Sequence, residues 1–218
     1  MKPVQPGYEN AFGALRQFIR PRRRDVERCE LCSAEVATEH AHLIEPGRRK
    51  LLCSCNACAI LFSAMGTKYK RVPRRVLVLA DFHLSDGQWE SLMVPISMAF
   101  FFRSTPDARV VAFYPSPAGA TESLLPLETW TDIEDANPVL QELESDVEAL
   151  LVNRVGYARG FAAPEYYVLP IDECYKLVGL IRSSWRGLSG GTEVWQRIGG
   201  FFDGLKQRAT VIREDAHA

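Results

Sequence analysis

Long hydrophobic runs are missing from this chain. The longest apolar stretch, 93–102, spans ten residues and is interrupted by Pro95, whereas a membrane-crossing helix needs about 20. No membrane span is therefore expected. No apolar segment follows Met1-Lys2-Pro3-Val4-Gln5-Pro6, as an export signal would require, so the expected compartment is the cytoplasm. Internal repeats, a Walker loop, a dinucleotide-binding glycine fingerprint and a nucleophile elbow are also lacking. Histidine is sparse, with four in 218 residues, and nothing in sequence joins Ser, His and acid residues into a triad. These absences nominate no active site, and a non-enzymatic role is the first expectation.

Cysteine is scarce too, but five of the six lie between positions 29 and 58. The stretch reads C-E-L-C at 29–32, H-A-H at 40–42 and C-S-C-N-A-C at 53–58. Each Cys-x-x-Cys pair, bent in a tight turn, aims two thiolates at one point. Two such turns give four sulfurs in a tetrahedron, which zinc favours and iron accepts. Cys29, Cys32, Cys55 and Cys58 are thus the expected metal ligands, with a structural Zn as cofactor and Fe as the alternative. Disulfides are the competing reading, disfavoured in a reducing compartment. Cys53 lies two residues before Cys55, so on an extended segment the two share a face. It could replace Cys55 or pack beside the metal. His40 and His42 share a strand face in the same way and are further candidate ligands, with surface or supporting histidines as the alternative. A two-metal site using all seven groups is a further arrangement.

Charge is uneven. Residues 1–75 hold fifteen Lys and Arg against seven acidic residues, and the remainder holds eleven against twenty. Such a basic third can bind nucleic acid or an acidic protein, dock on the acidic part of its own chain, or stay solvated. Arg22, Arg23, Arg24 and Arg186 are candidate partner contacts.

The pattern predicts an α+β fold in two parts. Residues 1–74 form a helix over 8–19 and a zinc-ribbon or knuckle module, with Leu51, Leu52, Ile60, Leu61 and Phe62 as its small core and 66–73 as a basic connector. Residues 75–218 form a mixed, mainly antiparallel sheet packed with C-terminal helices. Its expected strands are 75–80, 93–102, 109–114 and 166–169, the middle two forming a hairpin, with a helical turn at 88–92. Asn137-Pro138 predicts a helix running through Leu151 with a solvated acidic face, Glu142, Glu144, Asp146 and Glu148. Asp172 is expected to cap a helix through Ser184 that buries Cys174, and Thr192 to cap the last helix. A frayed polar tail is expected from Ile212. The small-residue loops 115–123 and 185–192 read as connectors, with ligand cradles as the alternative.

Strand 75–80 followed by Asp81-Phe82-His83 resembles the start of calcineurin-like phosphoesterases. Only His217 remains downstream, so the later histidine motifs of that family are absent and the reading fails. A broader likeness spans roughly 25–208. It is carried by C-E-L-C, R-R-K-L-L-C-S-C-N-A-C, A-F-F-F-R-S, V-V-A-F-Y-P-S-P-A-G-A-T-E-S-L-L, D-V-E-A-L-L-V-N-R, L-P-I-D-E-C-Y-K-L-V-G-L-I-R and W-R-G-L-S-G-G. With these the chain resembles a bacterial family of unknown function whose members are usually encoded beside uptake NiFe-hydrogenase genes. That resemblance implies a hydrogenase accessory role, with a hydrogenase subunit or maturation factor as protein partner, and no established chemistry. Two rivals remain. One is a rubredoxin-like iron electron carrier, against which stand Ser33 and Ala59 where rubredoxins have Gly. The other is a nucleic-acid-binding zinc protein, whose Cys-x-x-Cys, His-x-His order resembles the zinc frame of HNH nucleases without their catalytic Asn and His.

Overall fold

Apolar residues at consecutive positions, where a half-exposed strand would alternate, set the centre of the fold. The computed structural model describes residues 26–64, 68–123, 127–187 and 189–213. In chain order these form β1 (Ala41–Glu45), a 3-10 turn (Pro46–Arg48), β2 (Lys50–Ser54), α1 (Asn56–Leu61), β3 (Lys70–Arg71), β4 (Leu77–Leu79), α2 (Asp86–Ser91), β5 (Met98–Ser104), β6 (Arg109–Ser116) and β7 (Gly119–Ser123). There follow α3 (Leu127–Ala136), a second 3-10 turn (Pro138–Glu142), β8 (Glu148–Asn153), α4 (Val155–Ala158), β9 (Glu165–Pro170), α5 (Ile171–Ser184), α6 (Gly191–Arg208) and β10 (Thr210–Ile212). The small sheet has the order β2-β1-β3 and the large one β10-β4-β9-β8-β5-β6-β7. All pairings are antiparallel except β10 with β4. The fold is α+β with a mixed, mainly antiparallel sheet, as the pattern predicts.

Strand β5 lies inside the large sheet with both faces covered, which explains its unbroken apolar run. Phe100 and Phe102 point to α5 and α6, meeting Leu177, Ile181 and Phe202. Ala99 and Phe101 point the other way, where Phe101 stacks on Trp130 of α3 at 5.1 Å. Two cores thus sandwich one sheet. Cys174 is fully buried in the first of them, as expected.

Several expectations need correction. The helix expected from Asn137 to Leu151 stops as a single 3-10 turn, and Glu148–Asn153 is strand β8, paired with β5 and β9. Asp146, at φ 71°, breaks the backbone, and the six residues Glu148 to Asn153 have two strands to pair with. Tertiary pairing overrides helical spacing here. Asn137 does not cap; its side chain accepts from the His83 N–H and donates to the carbonyls of His83 and Ile133. Of the acidic face, Asp146 and Glu148 are buried, not solvated. Strand β5 starts at Met98, after Pro95, and the 115–123 stretch is a hairpin closing on β7. Lys70 and Arg71 of the expected connector pair with β1. Thr210–Ile212 adds a strand before the chain leaves the described residues. Gly190, not Thr192, precedes α6, at φ 85°, where a Cβ would lie 2.7 Å from Val194. The helix expected over 8–19 and Arg22, Arg23 and Arg24 lie outside the described residues.

The small sheet is fastened to the large one by apolar packing and by charge. Ile44 and Val72 join the core under α5. The Arg49 guanidinium spans Asp107 at 2.7 Å and Glu122 at 2.9 Å, lying over the Phe113 ring. Lys70 reaches Asp146 at 2.7 Å, and Arg75 grips Glu148 with two bonds of 2.5 and 2.7 Å. Docking of the basic segment on the acidic part of the same chain is therefore what Arg49, Lys70 and Arg75 do.

Replacing Phe101 by Ala removes a ring stacked in a closed core, and about 3–5 kcal/mol of stability should be lost in denaturant titration. The Arg49 contact should be acid-sensitive. The Ser104 hydroxyl and then Arg49 hold Asp107 below its usual range, and at Glu122 the two arginines Arg49 and Arg109 outweigh the upward push of burial. Depressed carboxylates contribute stability above the ordinary carboxylate range and lose it as pH falls through their lowered values. Protection of the β1 and β2 amides, corrected for intrinsic exchange, should fall on acidification in that window, and Arg49→Ala should reduce that pH-dependence, leaving the part that Ser104 and Arg109 cause.

Candidate metal centre

Cys29 and Cys32 sit on a turn closed by backbone bonds from the Ser33 N–H to the Cys29 carbonyl and from the Cys29 N–H to the Ala34 carbonyl, both 2.8 Å. Ser33 takes φ 62°, the left-handed position that Gly fills more cheaply. A salt bridge of 2.8 Å between Arg28 and Glu35 fastens the turn's base. Glu30 ties this turn to β2: its N–H donates to the Cys53 carbonyl, and its carboxylate accepts from the Cys53 N–H.

The second turn starts where β2 ends. Cys55 precedes α1, and its sulfur accepts from the Cys58 N–H at 3.4 Å. Cys29, Cys32, Cys55 and Cys58 thereby bring four sulfurs within 4.8 Å of one another. The Cys32 and Cys55 sulfurs are 3.7 Å apart. A zinc–sulfur bond of about 2.3 Å in a tetrahedron sets that edge at about 3.8 Å, whereas a disulfide closes to about 2.05 Å. All six cysteines are free thiols. The cluster fits a four-coordinate metal ion. The apolar support is smaller than expected: Ala41, Leu43, Leu52 and Ala59 pack beneath the cluster, while Ile60 and Leu61 are 65% and 68% exposed.

The thiols differ in acidity. Burial pushes Cys29 up, but the backbone of Cys55, Cys32 and Leu31 overrides it and brings it down to about 6. Cys58 is pushed up to about 12 by burial and by the neighbouring thiols. Without a metal, charge entering this group repels further charge; a divalent ion removes that obstacle and releases protons as it binds.

Cys53, His40 and His42 do not join the four sulfurs. The strand ends at Ser54, so Cys53 and Cys55 no longer share a face. His42 lies opposite Cys53 in the β1–β2 ladder, with His40 against it at a ring distance of 4.7 Å. The three side chains form a second group of potential ligands, again within 4.8 Å. The His42 Nδ1 is 2.7 Å from Asp172, a partner 130 positions away that sequence reading takes for a helix cap. Instead α5 starts at Ile171 without a side-chain cap, and the Asp172 carboxylate also accepts from the Glu173 N–H. This group opens into a cleft of about 620 Å³ between β1, β2 and α5, lined also by Arg74, Lys176 and Arg208.

Over residues 28–209 the sequence matches the profile of a family of unknown function, DUF5947. The chain belongs to that family. No curated protein and no solved structure matches it. The span shared with DUF5947 contains both groups of ligands and begins after Arg22, Arg23 and Arg24. Arg186 lies inside it, exposed, with its guanidinium donating to the carbonyls of Ser183, near the end of α5, and of Trp185. The loops at 115–123 and 185–192 meet around an apolar cavity of about 360 Å³ that includes Tyr114, Pro117, Trp185 and Trp195. Among the described residues no helix is long and apolar enough to cross a membrane.

Zinc added to metal-free protein near neutral pH should release protons, read with a pH indicator, as the thiols ionise on binding; Cys29→Ser should release fewer.

Proposed function

We propose that Cys29, Cys32, Cys55 and Cys58 hold a structural zinc ion and that the protein is a cytoplasmic, non-enzymatic accessory factor for NiFe-hydrogenase. The carrying observation is the sulfur spacing of 3.7 Å, which suits a zinc tetrahedron. Four protein sulfurs would close the coordination shell, so this ion organises the two cysteine turns and does not react. The core beneath it is too small to organise the turns alone. Six free thiols suit a reducing compartment. The hydrogenase association rests on the sequence resemblance. The 75–218 body is proposed to carry the partner, with exposed Arg186 as a contact point there and exposed Ile60 and Leu61 as further contact points on the cysteine module. A nucleic-acid partner is disfavoured because Arg49, Lys70 and Arg75 are already paired with acidic residues of the same chain.

Native-purified protein should be colourless and contain zinc, with one equivalent lost in Cys32→Ser. Red protein with a visible charge-transfer band would assign iron instead, and intact protein with no metal at the four sulfurs would end the reading. Deleting the gene should lower hydrogenase activity or processing; unchanged hydrogenase would remove the accessory role.

A further inference from the structure

The geometry points to a second metal site: we propose that His40, His42 and Cys53 bind a divalent zinc ion whose fourth position opens to the cleft beside α5. It goes beyond the structural zinc and does not depend on which metal the four sulfurs hold.

Three observations carry it. First, both imidazoles are set in the tautomer a metal needs. The His40 Nδ1 lies 2.9 Å from the Ala37 carbonyl oxygen, which can only accept, so that nitrogen carries the proton. The His42 Nδ1 likewise donates to Asp172 at 2.7 Å. In the neutral form of each ring Nε2 is left with the lone pair. Second, the His40 side chain is only 7% exposed, and its Nε2 is buried with no hydrogen-bond partner among the described residues. A buried acceptor without a partner is costly, and a metal ion in the group would satisfy it. Third, the backbone fixes the group. Both main-chain polar groups of Cys53 bond to Glu30, and the His42 carbonyl accepts from the Val72 N–H. Cys53 and His42 are therefore a non-hydrogen-bonded pair, the closer kind in an antiparallel ladder. The three potential ligand atoms already lie within 4.8 Å, and rotation of short side chains covers the remaining contraction of about 1 Å to zinc–ligand geometry.

Two imidazoles and a thiolate are ligands zinc accepts. Three protein ligands leave one position for water or a small anion, as in catalytic rather than structural sites. With neutral imidazoles and one thiolate, the loaded centre has a net charge of +1, in a cleft that holds Arg74, Lys176 and Arg208 alongside Glu27, Glu39, Asp172 and Glu173. Asp172 is a positioning residue: it holds His42 from α5 in the carboxylate–histidine–metal arrangement and ties the small sheet to that helix. A Cys53–His42–Asp172 nucleophile is the other chemistry of this geometry, but it gives the buried His40 nitrogen no task.

The test is zinc stoichiometry and cobalt spectroscopy on the full chain. Wild type should bind two equivalents, and Cys53→Ser and His42→Ala should each bind one, with the four-sulfur spectrum and circular dichroism retained. Azide should shift the cobalt bands of wild type, because one site is open, and leave those of Cys53→Ser unchanged. Asp172→Asn keeps the side-chain shape and should weaken the second equivalent alone by about 10- to 100-fold; it carries the test should the other variants misfold. One equivalent in wild type, lost in Cys32→Ser, would overturn this site and leave the structural zinc standing. Two equivalents that survive Cys53→Ser would also overturn it, as would rapid alkylation of Cys53 in fully loaded protein, which would assign the nucleophile.

Discussion

Strand β1 has two faces, and nearly everything distinctive about this protein follows from what each must cover. Ala41 and Leu43 turn toward the four-sulfur cluster and, with Leu52 and Ala59, make its small core. His42 and Ile44 turn the opposite way, toward the large sheet and its helices. The register with β2 repeats the division, since His42 faces Cys53 and Ile44 faces Leu51. A shift of one residue would exchange the two faces and put imidazole under the cluster. The alternation of β1 and the end of β2 at Ser54 together separate five neighbouring cysteines into two chemically different groups.

The attachment between the two sheets mixes long-range apolar packing with buried charge. Glu148 and Asp146 are almost completely buried and matched by Arg75 and Lys70. Such pairs add little net stability over apolar replacements, yet losing one partner strands the other charge. In this docking arrangement both carboxylates are satisfied, Asp146 by Lys70 and Glu148 by Arg75. That arrangement brings Asp172 within reach of His42 and shapes the cleft.

Local chemistry was legible at the sulfurs. Two Cys-x-x-Cys turns need only short-range geometry, so spacing alone named Cys29, Cys32, Cys55 and Cys58, and the structure gathers those four. The two-sided burial of 98–102, the β5–β6 hairpin and the helix ending at Ser184 were legible for the same reason. Residues 139–151 misled because their spacing suits a helix; pairing of β8 with two neighbours, a non-local gain, decided otherwise. Ile60 and Leu61 misled because hydrophobicity says what can be buried, not what is.

By itself the sequence determined which residues could bind a metal, that the fold is α+β, and that the chain's charge is divided between a basic first third and an acidic remainder. Only the tertiary structure decided that Arg49, Lys70 and Arg75 are spent on acidic residues of their own chain, that Cys53 parts from Cys55, and that Asp172 meets His42. The first and last depend on contacts between residues far apart in the chain, which propensity and spacing do not encode, and the second on where β2 ends, at Ser54.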